Sequence, residues 1–261
     1  MARIVILHPG AMGAAVGSAL REAGHEVGWL AEGRSPATRA RAESAGLQPW
    51  ASCADADAVI SLVPPAAAVS TARGVAGFTG LYLDANATSP QRSAEVAEVM
   101  RSGGATHVDG SIVGPPPTDA GTTRLFVSGA AAAQAAELFV ASTLEPVVLA
   151  AGDYSASALK MAYASWSKIS AALVLSADRT AQAYGVAEEL HAEWRRSQPD
   201  LEGRLDRARA SAASKGWRWV DEMAQIAATF AAAGEPAPFG EGAAAVYGRY
   251  PRPGSAQSQS R

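Results

Sequence analysis

Over residues 1–150 short apolar runs alternate with Ala-rich stretches of helical character, and that alternation leaves few folds open. Ile4-Val5-Ile6-Leu7 is an unbroken aliphatic run, the mark of a strand buried on both faces. A Pro-Gly turn and a helical segment from about Ala11 to Ala23 follow it. Further strand-like runs are Glu26 to Leu30, Ala58 to Leu62, Leu81 to Ala85, Thr106 to Asp109, Arg124 to Val127 and Pro146 to Leu149. Strands spaced by helices imply βαβ units and a mostly parallel sheet, because a parallel neighbour needs a crossover long enough to hold a helix.

After Gly152 the strand signal stops. Ser155 to Tyr184 contains no Pro or Gly and is expected to be one helix, about 45 Å long at 1.5 Å per residue. Helical runs follow at Glu188 to Arg196, Pro199 to Ala208, Ala210 to Ala233 and Gly240 to Tyr250. The expected organisation is an α/β domain over 1–150, an all-helical domain over 151–250, and a disordered tail over 251–261, where apolar content is lost.

Composition narrows the function classes. Apolar residues make up 48% of the chain and charged residues 18%, which leaves ample material for a core. A net charge of −3 without a basic cluster argues against a nucleic-acid partner, since phosphate neutralisation needs grouped cations. Cys53 stands alone, so neither an internal disulfide nor a Cys-built zinc site is expected. His8, His25, His107 and His191 are scattered without ligand spacing, so no metal is expected either. Ala58 to Ala72 is too short for a membrane helix and contains Pro64-Pro65. Nothing near Met1 resembles a secretory leader, and the expected location is cytoplasmic. There is no Gly-x-Ser-x-Gly elbow of a serine hydrolase.

The turn after the first strand reads His8-Pro9-Gly10-Ala11-Met12-Gly13. A dinucleotide fingerprint lies at such a strand-to-helix turn: its glycines let the backbone approach the pyrophosphate, and the helix N-terminus offers N–H groups to it. In G-x-G-x-x-G register His8 stands where the first glycine would be. Past the second strand come Glu32-Gly33-Arg34-Ser35 and Thr38-Arg39, at the place where the ribose 2′ position is read. Guanidinium and hydroxyl groups there suit a 2′-phosphate, which favours NADP over NAD. Glu32 argues the other way, because a carboxylate bonds a free ribose hydroxyl. Ser35 before Pro36 would serve equally as a helix N-cap.

Five segments in order resemble the β-hydroxyacid dehydrogenase and 6-phosphogluconate dehydrogenase superfamily. They are Pro9 to Gly13, Ser61-Leu62-Val63-Pro64-Pro65, Asp84 to Pro90, Asp109-Gly110-Ser111-Ile112-Val113-Gly114-Pro115, and Gly152 through Lys160. The resemblance implies a Rossmann-like, doubly wound sheet followed by an all-helical C-terminal domain. It implies a nicotinamide cofactor held by His8, Pro9, Gly10, Ala11, Met12, Gly13, Arg34, Ser35, Arg39, Leu62, Val63, Pro64 and Asn86. The implied substrate positions are Ser111, Val113, Gly114, Tyr163 and Ser167, and Lys160 falls at the superfamily's catalytic lysine. Relatives form homodimers through the helical half, so a homodimer is expected.

The chain also departs from that pattern. Val113 replaces a serine of the usual substrate loop, and Lys160-Met161-Ala162-Tyr163-Ala164 replaces Lys-x-x-Asn-Asn. Those serine and asparagine contacts hold a small hydroxy-acid carboxylate in relatives. Leu159, Met161, Ala162 and Ala164 surround Lys160 with apolar or small side chains, surroundings that suit a lysine general acid or base. Lys168 reads as a supporting charge, and Trp194, Trp217 and Trp219 as packing. The expected function is NADP-dependent hydride transfer with a small hydroxy or keto substrate. The alternatives are an imine reductase on the same fold and a non-catalytic NADPH-binding protein.

Overall fold

A computed structural model describes residues 1–252. The chain divides into two compact units, Met1–Lys160 and the chain from Met161 onward. The expectation of a disordered tail falls largely on 253–261, outside the described residues.

The first unit is built on an eight-stranded sheet in the order β3-β2-β1-β4-β5-β6-β7-β8. Its strands are β1 (Arg3–Ile6), β2 (Glu26–Leu30), β3 (Gln48–Trp50), β4 (Ala58–Ser61), β5 (Leu81–Asp84), β6 (Thr106–Val113), β7 (Thr123–Ser128) and β8 (Leu144–Val148). All neighbours are parallel except β6 and β7. The helices between strands are α1 (Ala11–Glu22), α2 (Pro36–Ser44), α3 (Ala68–Arg73), α4 (Pro90–Ser102) and α5 (Ala132–Glu137). The expected doubly wound α/β class therefore holds.

Strand alternation divides the core in two. Ile4, Ile6, Ile60 and Leu83 pack on one face with Val16 and Leu20 of α1, Ala42 of α2 and Ala135 of α5. Val5, Leu7, Val59 and Tyr82 pack on the other with Ala72 of α3 and Met100 of α4. Both faces are covered, which explains why the central strands read as continuous apolar runs.

Two details depart from the sequence expectation. β3 is an additional edge strand, and β6 runs through Val113 where the sequence suggested an end at Asp109. Ser111 and Val113 thus sit on a strand, buried.

The second unit contains most of α6 (Ser155–Tyr184), then α7 (Ala187–Ser197), α8 (Leu201–Lys215), α9 (Trp219–Ala232) and α10 (Pro238–Tyr247). α6 has the bounds expected from its Pro- and Gly-free run. The α8–α9 break falls at Gly216, several residues later than the sequence suggested. Tyr247 is fully buried, stacks edge-on against Trp219 and donates to the Lys168 carbonyl at 2.7 Å. Asp178 accepts from Arg209 at 2.7 Å, Gln182 at 2.8 Å and His191 at 2.9 Å, joining α6, α7 and α8. Burial pushes its carboxyl up, but the Arg209 and His191 hydrogen bonds outweigh that and hold it below the usual carboxylate range. No helix among the described residues is long and apolar enough to cross a membrane.

Candidate functional site

The strand order reverses direction between β1 and β4, so the crevice outside their carboxyl ends is the topological switch point, where open α/β sheets bind ligands. The carboxyl ends of β1, β4, β5 and β6 follow one another along this edge, and most of the sequence-derived site residues of the first unit lie there.

At the end of β1 the chain turns through His8 and Pro9 into α1. Gly10 is the N-cap without a side-chain capping bond, so the first N–H groups of the helix point out unpartnered by any cap. Two glycines have distinct duties. A Cβ on Gly13 would run into the His8 carbonyl, so only glycine permits this strand–helix approach. A Cβ added on Gly10 would find His8 Cδ2 at 3.8 Å as its nearest non-neighbouring atom, so that side of the backbone is open to a ligand. His8 needs no left-handed conformation, because no non-glycine residue among those described has positive φ. That is why a histidine is tolerated where the fingerprint has glycine. These residues fit a dinucleotide pyrophosphate.

Arg34 reaches back from the loop after β2. Its Nη1 donates to His8 Nδ1 at 3.1 Å and its Nη2 to the Leu7 carbonyl at 3.1 Å, while its buried Nε has no partner. A guanidinium has no acceptor, so His8 Nδ1 accepts and the ring is the neutral Nε2–H tautomer. Burial lowers the His8 pKa, and the Arg34 and Arg41 charges lower it further. Ser35 caps α2, accepting from the Thr38 N–H at 3.3 Å, as its place before Pro36 suggested. Arg39 braces the same loop, donating to the Ala31 carbonyl at 2.7 Å and the Arg34 carbonyl at 3.3 Å. Arg34 and Arg39 line a cleft of about 920 Å³ with Leu30, Glu32, Trp50 and Phe78. Glu32 is exposed and forms no ion pair among the described residues.

Leu62, Val63 and Pro64 follow β4, and a buried polar knot fixes their place. Asn86 Oδ1 accepts from the Val63 N–H at 2.6 Å, and Asn86 Nδ2 donates to Ser61 Oγ at 3.0 Å and Asp84 Oδ1 at 2.5 Å. The Asn86 side chain is thus spent on the protein. What it offers a ligand is the position of two loops. Asp84 Oδ2 is buried without a partner. Burial raises the Asp84 pKa to about 7, with the Asp109 charge adding to it and the Asn86 hydrogen bonds opposing it. Asp84 and Asp109 are register partners on adjacent parallel strands, so their carboxyls share a sheet face.

Asp109 is a hub whose partners come from distant parts of the chain. Its Oδ1 accepts from Ser93 Oγ at 2.8 Å and Ser157 Oγ at 2.5 Å, and its Oδ2 from Ser128 Oγ and the Ser157 N–H, both at 2.9 Å. One carboxylate thereby ties β6 to α4, β7 and the first turn of α6. Burial raises its pKa, and the serine hydrogen bonds from Ser157, Ser93 and Ser128 work against that. In the sequence Asp84 and Asp109 each close an apolar run and open a segment of the resemblance, but nothing there indicates the serines that meet at Asp109.

One turn past Ser157 stands Lys160. Its Nζ donates to the Ile112 carbonyl at 2.8 Å. Ile112 is three residues beyond Asp109, the register partner of the last residue of β5. The lysine amine therefore lies roughly 10 Å past the end of β5 along the strand direction, at about 3.3 Å per residue. Ser111, fully buried, has a hydroxyl without a partner. Gly114 follows with φ of 132° and is exposed. Tyr163 and Ser167 belong to the second unit; Tyr163 is 56% exposed, and Ser167 Oγ donates to the Ala164 carbonyl at 3.2 Å. No group of His, Cys, Asp or Glu among the described residues could hold a metal ion.

Residues 181–250 match a domain of unknown function, DUF1932. No curated protein sequence matches the chain. Among solved structures, a conserved hypothetical protein from Sinorhizobium meliloti is 26% identical, with 95% of this chain and 88% of that one covered at a TM-score of 0.71. The 3-hydroxyisobutyrate dehydrogenase of Mycobacterium tuberculosis, solved with L-serine, is 20% identical over 95% and 93% of the chains at a TM-score of 0.72. A reductive aminase from Aspergillus terreus, solved with NADPH and ethyl levulinate, is 21% identical over 95% and 93% at a TM-score of 0.57. In the order of its sheet and in the helical half that carries the DUF1932 segment, the chain is similar in fold to these dehydrogenase and reductase structures.

Proposed function

We propose that this chain is an NADP-dependent oxidoreductase that moves hydride between the nicotinamide and the C=O carbon of a small hydroxy or keto substrate, with Lys160 handling the proton. The observation that carries the reading is the Lys160 ammonium on the Ile112 carbonyl, at the carboxyl edge of the sheet two strands along from β4 and the switch point. The nicotinamide, when bound, supplies or accepts the hydride. Gly10 and the first turn of α1 bind pyrophosphate. Arg34, Ser35 and Arg39 meet a 2′-phosphate, and the Arg34 and Arg39 side chains already line the same cleft. The loops set by the Asn86 knot flank the dinucleotide.

During reduction the carbonyl oxygen gains negative charge, and Lys160 Nζ stabilises it and donates a proton to that oxygen. In oxidation the neutral amine takes the hydroxyl proton. The Ile112 carbonyl positions Nζ between turnovers, and Ser111 Oγ is a free donor for a substrate oxygen.

One observation favours the imine reading as runner-up. Val113 and Ala164 are both buried and apolar where relatives have carboxylate contacts. The likeness to a reductive aminase fold goes with it. A half-buried free thiol, Cys53, suits a reducing, cytoplasmic setting.

The test is NADPH absorbance over a panel of keto acids, hydroxy acids and cyclic imines, with NADH run in parallel. Consumption with a keto acid, faster with NADPH than with NADH, supports the proposal. Turnover of imines alone supports the runner-up. Tight NADPH binding without turnover on any member makes the chain a non-catalytic NADPH-binding protein.

A further inference from the structure

The helical unit holds a cavity of about 330 Å³ between α6, α8 and Trp219. Its two walls differ in chemistry. Ala171 and Val174 of α6 and the Trp219 ring make an apolar wall. On α8, Arg204, Arg207 and Ser211 all line the cavity, spaced i, i+3, i+7 along one helix face.

The other charges of α8 are committed. Glu202 accepts from Arg195 at 2.5 Å, and Arg209 pairs with Asp178 at 2.7 Å and Asp206 at 3.6 Å. The cavity-facing groups are not: the Arg204 and Arg207 guanidiniums and the Ser211 hydroxyl have no protein partner among the described residues. Lys168, on the α6 side, is held by an ion pair with Glu222 and lies 5.6 Å from the Trp219 ring centre. Ser167 and Ser170 donate to carbonyls of their own helix, at 3.2 Å and 2.5 Å, and add no donors. The cavity thus presents uncommitted cationic donors on α8, interleaved with Leu201 and Ala208, across from Ala171, Val174 and the Trp219 ring. Arginines with free fork geometry match planar or tetrahedral oxyanions.

We infer that this cavity is a binding site for a small organic oxyanion, a carboxylate or phosphate ester carrying a compact apolar body. The oxyanion lies on Arg204, Arg207 and Ser211, and the apolar body packs on Trp219 and Val174. The residues that would hold the ligand, Arg204, Arg207, Ser211, Trp219 and Val174, take no part in the proposed hydride chemistry; of the expected substrate positions only Ser167 also lines the cavity.

The experiment is isothermal titration calorimetry on the full chain with four probes: benzoate, phenyl phosphate, inorganic phosphate and the neutral benzamide. Saturable binding of benzoate or phenyl phosphate, tighter than inorganic phosphate and benzamide, is expected; the better of the two names the oxyanion. Arg207→Glu should weaken that binding roughly tenfold or more, the scale of a charged hydrogen bond, and leave benzamide unchanged. Both arginines are exposed and unpaired, so the fold should survive, and an unchanged circular dichroism spectrum checks it. If Arg207→Glu fails to fold, Arg204→Ala with Arg207→Ala repeats the comparison. Absence of saturable binding by the parent protein, or equal affinity in the folded variants, would overturn the inference.

Discussion

Asp84 and His107 are buried titratable groups with opposite effects on stability. The Asp84 pKa is raised to about 7, so its contribution to stability is full below the ordinary carboxylate value of 3.8 and is lost as pH rises through 7. Burial lowers the His107 pKa to about 4, with the Arg101 charge adding to it, so its contribution is present above 6.5 and lost as pH falls through 4. Between those values the two slopes oppose one another and flatten the parent's pH profile. Asp84→Asn keeps an acceptor for Asn86 and removes one slope. The melting-temperature difference, variant minus parent, should therefore grow in the variant's favour from about pH 4 to about pH 7 and level off above. Scanning calorimetry across that range checks it. A difference independent of pH would mean that Asp84 titrates normally.

Among elements, the first turn of α6 has the most to lose. Ser157 gives both its hydroxyl and its N–H to Asp109, and Lys160 stands one turn later with its amine on β6. Ser157→Ala deletes one of these bonds and should lower stability by about 1–2 kcal/mol, as for a hydrogen bond to a charged acceptor. Because the anchored turn carries Lys160, the variant should also lose turnover while keeping NADPH affinity. Urea denaturation and steady-state kinetics separate the two effects.

This part of the site was only half legible in the sequence. The motif order indicated Lys160 and the fingerprint turn, since both are local patterns. The serines that meet at Asp109 come from positions 93, 128 and 157, and only the fold brings them together. β3 escaped notice because Gln48-Pro49-Trp50 is three residues on the sheet edge with two of them exposed, so it carries no apolar run. The extension of β6 was hidden by Gly110, which looks like a turn residue. Its glycine serves packing instead: a Cβ there would meet the Leu83 side chain at 2.7 Å.

For the whole molecule, we expect a homodimer. Tyr163, Trp166 and Leu173 on α6 are 56%, 73% and 68% exposed, and their spacing sets them on one side of the helix. Large apolar side chains grouped in this way mark an interaction surface. Light scattering should give a dimer mass for the parent, and Trp166→Glu should shift it toward monomer. A monomeric parent at micromolar concentration would contradict it. The central claim, hydride transfer with Lys160 handling the proton, rests on a single side chain and can be tested there. Lys160→Met keeps length and apolar packing while removing charge and proton. The measurement is turnover by Lys160→Met, on the substrate that the panel identifies, beside its NADPH dissociation constant. Turnover should fall by roughly 10²–10⁴, the range for losing general acid–base help, with NADPH affinity unchanged. Parent-like turnover in that variant would contradict it.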